Sequence, residues 1–354
     1  MKIRTILWAL AIGLAIGAYL SSTTLLKAWM EGALSQAAGR RVTIESVSLT
    51  FPFGIRLTKL TVPNLPAERA GSGISVETMS LRLPFSSTLQ GRTGPELELV
   101  GPRLTAARDS EGGLLLPIQM APQGGASAQP QALPFSRLRI REGRLSFIDQ
   151  AVHPEVTWVL KDLTVDLSPG PRLGGYSLAA SASLETGANE VVGRLQVEGE
   201  ILPDAALPTY EGKITISHEK IWHLAPYIRP VLGASPSEGA CIFETNISLQ
   251  EGRIIAQNTL QAKGVRFPTE EPTVLGPNGN KLVSLLKDSD GSIQLSFVVM
   301  GKLGEKLNWN DLMAAALRQA MRQAMTRSIQ KVLTDTEVKP VEELIRKGLE
   351  SLGR

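Results

Sequence analysis

The chain begins with one long apolar segment and then changes to short runs in which apolar and polar residues alternate. Residues 5–26 contain no charged side chain and follow a basic tail, Met1-Lys2-Ile3-Arg4. About 20 apolar residues in one helix cross the hydrocarbon core of a bilayer. We therefore predict a single transmembrane anchor at residues 5–26. Residues 1–4 are expected to stay in the cytoplasm, where basic residues are retained.

A cleaved signal peptide is the alternative interpretation of this segment. Such a peptide has an apolar region of about 7–15 residues, followed by a cleavage site with small residues. Here the apolar run is longer, and the best candidate site, Ile16-Gly17-Ala18, begins with a bulky isoleucine. The pattern favours the uncleaved anchor. Both interpretations predict that the rest of the chain is exported.

The period of the apolar residues changes at Gly39. Up to this glycine the pattern is helical, and glycine can adopt the left-handed conformation that ends a helix. Beyond it, apolar residues recur at every second position, which is typical of antiparallel strands with one apolar and one wet face. We predict a helix and a first β segment in residues 27–116 and the main β segment in residues 136–307.

Two kinds of segment separate the predicted strands. Short turns rich in Asp or Gly predict chain reversals at residues 109–112, 251–252 and 288–291. The pair Glu142 and Gly143 predicts a hairpin in the same way. Residues 117–135 are uncharged and rich in Pro, Gln and Ala, so they cannot bury enough apolar surface to offset their ordering entropy. This segment is predicted to be a flexible linker.

Residues 308–354 return to a helical period and predict amphipathic C-terminal helices. Such a helix can cap an open sheet or lie on a membrane surface. A neighbouring row of alanines favours capping, because small residues add little to membrane burial. The residues expected to make this contact form an apolar row and a basic face: Met313, Leu317, Met321 and Met325, with Arg318, Arg322, Arg327 and Lys331.

Composition argues against several functional classes. The single cysteine, Cys241, has no partner for an internal disulfide and gives no thiol-rich metal site. The 37 basic and 34 acidic residues are nearly balanced, which is not a nucleic-acid-binding signature. His218 and His223 are five positions apart, whereas the zinc motif HExxH needs four, so we interpret them as exposed polar residues. We predict no catalytic site, no metal, no cofactor and no nucleic-acid partner.

Several segments resemble AsmA-like envelope proteins, in the order in which that family has them. A helix that ends in Ala-Gly-Arg at residues 38–40 leads into Phe51-Pro-Phe-Gly54. Further along, Gly101-Pro102-Arg-Leu104 precedes Arg108-Asp-Ser-Glu-Gly112. The segments at residues 138–149, 224–227 and 282–295 resemble one branch of the family, long filed as a domain of unknown function.

The resemblance implies a mainly β fold in which a curved antiparallel sheet forms a trough-like groove. It implies a protein of the bacterial bridge-like lipid-transfer superfamily, anchored by one span in the inner membrane, with the bulk of the chain in the periplasm. Its expected role is inter-membrane phospholipid transport and outer-membrane biogenesis. Its partners would be phospholipid, the inner membrane, and a second copy or another envelope protein to complete a bridge.

Strand alternation predicts which side chains would line such a groove, because residues two apart share one face of a strand. The alternative is a non-enzymatic scaffold or adaptor of an envelope assembly complex, whose β core is filled by these same side chains. The predicted lining residues are Leu145, Phe147, Val156, Trp158, Leu160, Ile214, Ile216, Ile293, Leu295 and Phe297.

Overall fold

The computed structural model describes most of the residues between 23 and 302. The described ranges are 23–36, 39–50, 54–63, 73–83, 94–110, 113–115, 135–172, 174–202, 209–232, 235–268, 287–288 and 290–302, with positions 319, 322 and 326. Most of the predicted anchor and nearly all of the predicted linker lie outside these ranges. Among the described residues, no helix has the length and apolar character needed to cross a bilayer.

The predicted C-terminal helix is described at three positions, Gln319, Arg322 and Thr326, and each has helical backbone. The Thr326 hydroxyl donates a hydrogen bond to the Arg322 carbonyl oxygen at 2.9 Å. The question of capping or membrane contact therefore stays open. The other residues predicted for this contact lie outside the described residues: Met313, Leu317, Met321, Met325, Arg318, Arg327 and Lys331.

The protein is mainly β, as the alternating pattern predicts, and its strands form one large sheet. Among the described residues up to position 302, the helices are α1 (residues 23–36) and α2 (Ala225–Leu232), which follows a 3₁₀ turn at Ile221–Leu224. The strands in the same part of the chain are β1 (Ser46–Thr50), β2 (Gly54–Val62), β3 (Ile74–Arg82), β4 (Glu96–Val100), β5 (Arg103–Arg108), β6 (Leu114–Leu115), β7 (Arg137–Asp149), β8 (Val156–Pro169), β9 (Tyr176–Thr186), β10 (Val191–Leu202), β11 (Thr209–His218), β12 (Glu238–Gln250), β13 (Arg253–Arg266) and β14 (Ser292–Lys302). From β7 to β14, each strand is antiparallel to its neighbour in sequence.

One junction departs from the predicted antiparallel arrangement. β4 and β5 share one position in the sheet, between β3 and β7, and both run parallel to β7. A parallel neighbour needs a long connection, and here β6 and residues 116–134 lie between β5 and β7. The two predicted β segments therefore belong to one hydrogen-bonded sheet.

A line of residues with positive φ crosses the first half of the sheet: Lys59 (45°), Gly101 (61°), Glu142 (55°) and Asp162 (52°). The register shifts, as at a bulge, beside Glu142 and Asp162, and it is unchanged across Lys59 and Gly101. A bulge inserts one extra residue and increases the local twist. Strands β7 and β8 can therefore change their alternation phase and still keep their apolar residues on one face.

The hairpin predicted at Glu142 and Gly143 is therefore wrong. These residues lie inside β7, which continues through them to Asp149. A positive φ is compatible with either a tight turn or a bulge. Here the residues before Glu142 and those after Gly143 both pair with β8, so the strand continues and a bulge forms. The turn predicted at residues 251–252 is confirmed, since Glu251 and Gly252 have φ values of 50° and 74° and join β12 to β13.

Helix α1 covers the beginning of the sheet. It stops where Gly39 adopts a left-handed φ of 62°, as the sequence predicts. The Glu31 carboxylate accepts a hydrogen bond from the Ile44 amide at 2.8 Å, which fixes the helix to the segment before β1. Its apolar side packs on a closed core. Leu26, Met30 and Leu34 contact the cluster of Val42, Ile44, Val47, Leu57, Leu60, Val62 and Val76.

Candidate functional site

One face of the sheet is apolar from the first strand to the last, and we call it the inner face. Residues paired across neighbouring strands point to the same side, so the strand register identifies its members. Within the central row of this face, Thr245 and Asn258 are the polar residues and none is charged. In order from β1 to β14, the row is Val47, Leu57, Met79, Leu99, Ile140, Val165, Ala180, Val197, Ile214, Thr245, Asn258 and Phe297.

The exposure of the inner face changes along the sheet. Under α1 it is a closed core, where Leu57 is 2% exposed. In the middle of the sheet Ile140, Val165 and Val197 are only half-buried. On β14 the face is buried again, with Phe297 at 9% exposure. An apolar surface that stays half-exposed across several strands is typical of a binding site and not of a packed core.

An open depression of about 600 Å³ lies over the middle of the sheet, between β7 and β10. Most of its lining residues belong to the opposite, polar face, where the strand register pairs Arg139 with Asp166 and Ala179 with Glu198. Residues of the central row contribute only between these polar residues. The depression therefore lies on the polar face and is not part of the apolar inner face.

The structure places the predicted lining residues on the inner face. Leu145 is paired with Leu160, and Phe147 with Trp158, on neighbouring strands β7 and β8. The predicted residues of β7, β8 and β11 are half-buried: Leu145, Phe147, Val156, Trp158, Leu160, Ile214 and Ile216. Those of β14 are buried, at 9%, 6% and 9% exposure, and offer little surface to a ligand: Ile293, Leu295 and Phe297.

Sequence reasoning missed the half-exposed middle of the inner face. Ile140, Val165, Ala180 and Val197 follow one another in the central row but were not among the predicted lining residues. Alternation alone could have found Val197, which lies two positions after Leu195 on β10. Alternation could not have placed Ile140 on the same face as Leu145, or Val165 on the same face as Leu160. A bulge on each strand changes the alternation phase between the two residues.

A buried polar cluster lies at one end of the inner face and holds α2 in place. The Tyr227 hydroxyl on α2 donates to Asp149 Oδ2 at 3.0 Å, and Trp158 Nε1 donates to the Tyr227 oxygen at 3.1 Å. Arg108 Nη1 lies 3.6 Å from the same Asp149 oxygen. Burial raises the pKa of Tyr227, so its hydroxyl stays protonated and remains a donor. The cluster fixes the helix against the sheet by satisfied hydrogen bonds.

His218 lies beside this cluster, and its predicted exposure is wrong. It is the last residue of β11, and its side chain is 3% exposed. Its ring lies edge-on to the Trp158 ring, with 5.5 Å between the ring centroids. Its register partners on the inner face are Gly193 and Cys241. Burial, and then the charge of the nearby His223, lowers the pKa of His218 to about 4. The ring is therefore neutral at pH 7.

We expect the folded protein to lose stability as the pH falls from about 6.5 to about 4. In this range the unfolded state binds a proton at His218 and the folded state does not, so lower pH favours unfolding. A pKa lowered from 6.5 to about 4 corresponds to a loss of about 3 kcal/mol, complete near pH 4. Thermal unfolding of the full chain in detergent, compared with the His218→Gln variant, measures this effect. Parallel pH profiles for the two proteins would contradict the assignment.

No protein-family model matches the chain, and a comparison with curated proteins finds no match. The resemblance to AsmA-like proteins, seen in the order and spacing of its motifs, therefore stays a prediction. The apolar inner face stands independently of it, because strand register and burial alone define that face.

Proposed function

We propose that the protein is an inner-membrane-anchored periplasmic protein of AsmA-like type that binds phospholipid on its inner face. In this role it contributes to inter-membrane lipid transport and outer-membrane biogenesis. The observation that supports the proposal best is the uncharged, half-exposed middle of the inner face, where Ile140, Val165, Ala180 and Val197 follow one another across four neighbouring strands and each is only half-buried.

The physical reason is the cost of leaving this surface in water. Apolar surface gains about 25 cal/mol for each Å² that is removed from water. Each buried methylene of an acyl chain contributes about 0.8 kcal/mol in the same way. A charge in the groove would oppose binding strongly, because a buried unpaired charge is costly. The central row contains none.

A single copy covers a limited distance. The sheet has twelve consecutive strand positions, from β1 to β14. Neighbouring strands lie about 4.8 Å apart, so the untwisted sheet would extend about 50 Å. A bridge longer than this needs a second copy or another envelope protein. The two ends of the strand order among the described residues, at β1 and β14, are where such a partner could continue the apolar surface.

A non-enzymatic scaffold or adaptor of an envelope complex is the second candidate function. The observation in its favour is that the inner face is fully buried at both ends, under α1 and on β14. In this alternative the β core is filled by its own side chains and holds no lipid.

Native mass spectrometry of the full chain, extracted from bacterial membranes in mild detergent, tests the proposal. We expect phospholipid to remain bound when the detergent is removed in the gas phase. A lipid-free protein, under conditions in which a known lipid-binding membrane protein keeps its lipid, would contradict the proposal. That result would favour the scaffold.

A further inference from the structure

A second cavity, of about 510 Å³, opens at the end of the inner face between strand β8 and α2. Trp158 and Val156 belong both to the inner face and to the lining of this cavity. The cavity is therefore continuous with the apolar surface of β7 and β8. Its other walls come from the 3₁₀ turn and from α2, where Trp222, His223 and Pro226 line it.

Two oppositely charged residues that line the cavity have no partner among the residues that the structure describes. Arg229 of α2 and Glu155, which precedes β8, both line it. Neither side chain forms an ion pair or hydrogen bond with another residue in the part of the chain that the structure describes. Two other basic groups nearby are engaged by Glu190: Lys220 is paired with it directly, and His223 Nε2 lies 3.2 Å from Glu190 Oε2. His153 also lines the cavity, beside Glu155.

Resting on the function proposed above, we propose that this cavity is the headgroup site for a zwitterionic phospholipid, with a phosphate and an ammonium. Arg229 would bind the phosphate, because a guanidinium donates two parallel hydrogen bonds to such an anion. Glu155 would bind the ammonium, which can also lie against the face of an aromatic ring such as Trp222. The acyl chains would leave past Trp158 and Val156 onto the inner face.

The wall that carries Arg229 is fixed before any ligand binds. Tyr227 is two residues earlier on α2 and is held by Asp149 and Trp158 at 3.0 and 3.1 Å. A site whose walls are already ordered loses less entropy on binding. The volume of the cavity is also within the range of known ligand sites. Size, charge and preorganisation thus agree with a headgroup.

Competition between two lipids tests the inference. The full chain in detergent is mixed with vesicles of equal amounts of phosphatidylethanolamine, which is zwitterionic, and phosphatidylglycerol, which is anionic. Native mass spectrometry then measures the occupancy by each lipid. We expect the wild type to prefer phosphatidylethanolamine and Glu155→Gln to lose the preference. We expect Arg229→Gln to lower total phospholipid occupancy about tenfold, the effect of losing one charged hydrogen-bond donor.

The matched control is Arg194→Gln, which removes an exposed arginine on β10, away from the cavity, and should change neither occupancy nor preference. Equal thermal unfolding of all variants shows that they are folded. If the wild type holds no phospholipid, the proposed function fails and this inference with it. If the wild type holds phospholipid and both cavity variants behave like Arg194→Gln, only the headgroup site is overturned.

Two further results would also overturn the assignment. A wild type that prefers phosphatidylglycerol would indicate a site for anionic headgroups instead. Glycerophosphoethanolamine has the same headgroup without acyl chains. If it binds as tightly as the lipid, the cavity serves a soluble compound. Weak binding of this compound, together with tight binding of the lipid, supports the site as proposed.

Discussion

Val197→Asp is expected to lower phospholipid occupancy by more than about tenfold, because an ionised carboxylate among acyl chains has no partner there. Val197 lies in the middle of the central row of the inner face, between Ala180 and Ile214. Its side chain is only half-buried, so the cost to the folded protein without lipid should be about 1 kcal/mol. Native mass spectrometry and thermal unfolding measure the two effects separately.

Gln196→Asp is the matched control for this prediction. Gln196 is the preceding residue of β10, is exposed, and lies on the opposite face of the sheet. The Gln196→Asp substitution introduces the same charge on the same strand as Val197→Asp. A general electrostatic effect would therefore appear in both variants. Equal lipid occupancy for the two aspartate variants would contradict the assignment of the inner face as the lipid site.

Leu57→Ala is expected to reduce the free energy of unfolding by about 3 kcal/mol, the cost of emptying a closed core site. Leu57 is 2% exposed and lies in the cluster beneath α1. Leu195→Ala removes the same atoms from the inner face on β10, where the side chain is only half-buried. We expect Leu195→Ala to reduce the free energy of unfolding by about 1 kcal/mol, because the half-buried leucine side chain buries less apolar surface than Leu57 does. Urea unfolding of both variants measures the difference.

This pair of variants also separates the two candidate functions. In the lipid-binding protein, the middle of the sheet is an accessible surface, and its truncation leaves no closed cavity. In the scaffold with a self-filled core, Leu195 would be packed like Leu57. Equal losses for Leu57→Ala and Leu195→Ala in the lipid-free protein would therefore favour the scaffold.

The alternating pattern was sufficient to predict much of the sheet and of its inner face. Side chains along a strand alternate between two faces, so Leu145 and Phe147 could be assigned to one side before any pairing was known. The structure pairs them with Leu160 and Trp158, which were assigned in the same way. The cap at Gly39 was also predictable, because a positive φ strongly favours glycine.

The bulges beside Glu142 and Asp162 were not predictable from the local sequence. Glu142 and Gly143 have the composition of a tight turn, and only their pairing with β8 on both sides makes them part of one strand. The accessible middle of the inner face depends on this, because the bulges bring Ile140 and Val165 onto the same face as Leu145 and Leu160. The parallel junction at β4, β5 and β7 is likewise set by long-range pairing.

The burial of His218 was missed for a related reason. Its local sequence, Ser-His-Glu-Lys, is polar, which predicts exposure. In the fold, however, it follows Ile214 and Ile216 in the alternation of β11 and reaches the inner face beside Trp158. The cavity next to it, with Arg229 and Glu155, joins residues from α2 and from the start of β8 that are far apart in sequence.

Site-specific photocrosslinking in bacterial cells tests most directly whether the inner face holds phospholipid. A photoreactive amino acid replaces Val197 in one protein and Gln196 in another, so that the two probes are adjacent on β10 and lie on opposite faces. Mass spectrometry of the purified proteins identifies the molecules attached. We expect phospholipid adducts at position 197 and almost none at position 196. Equal lipid labelling at both positions, or protein adducts alone at position 197, would contradict a lipid-binding groove.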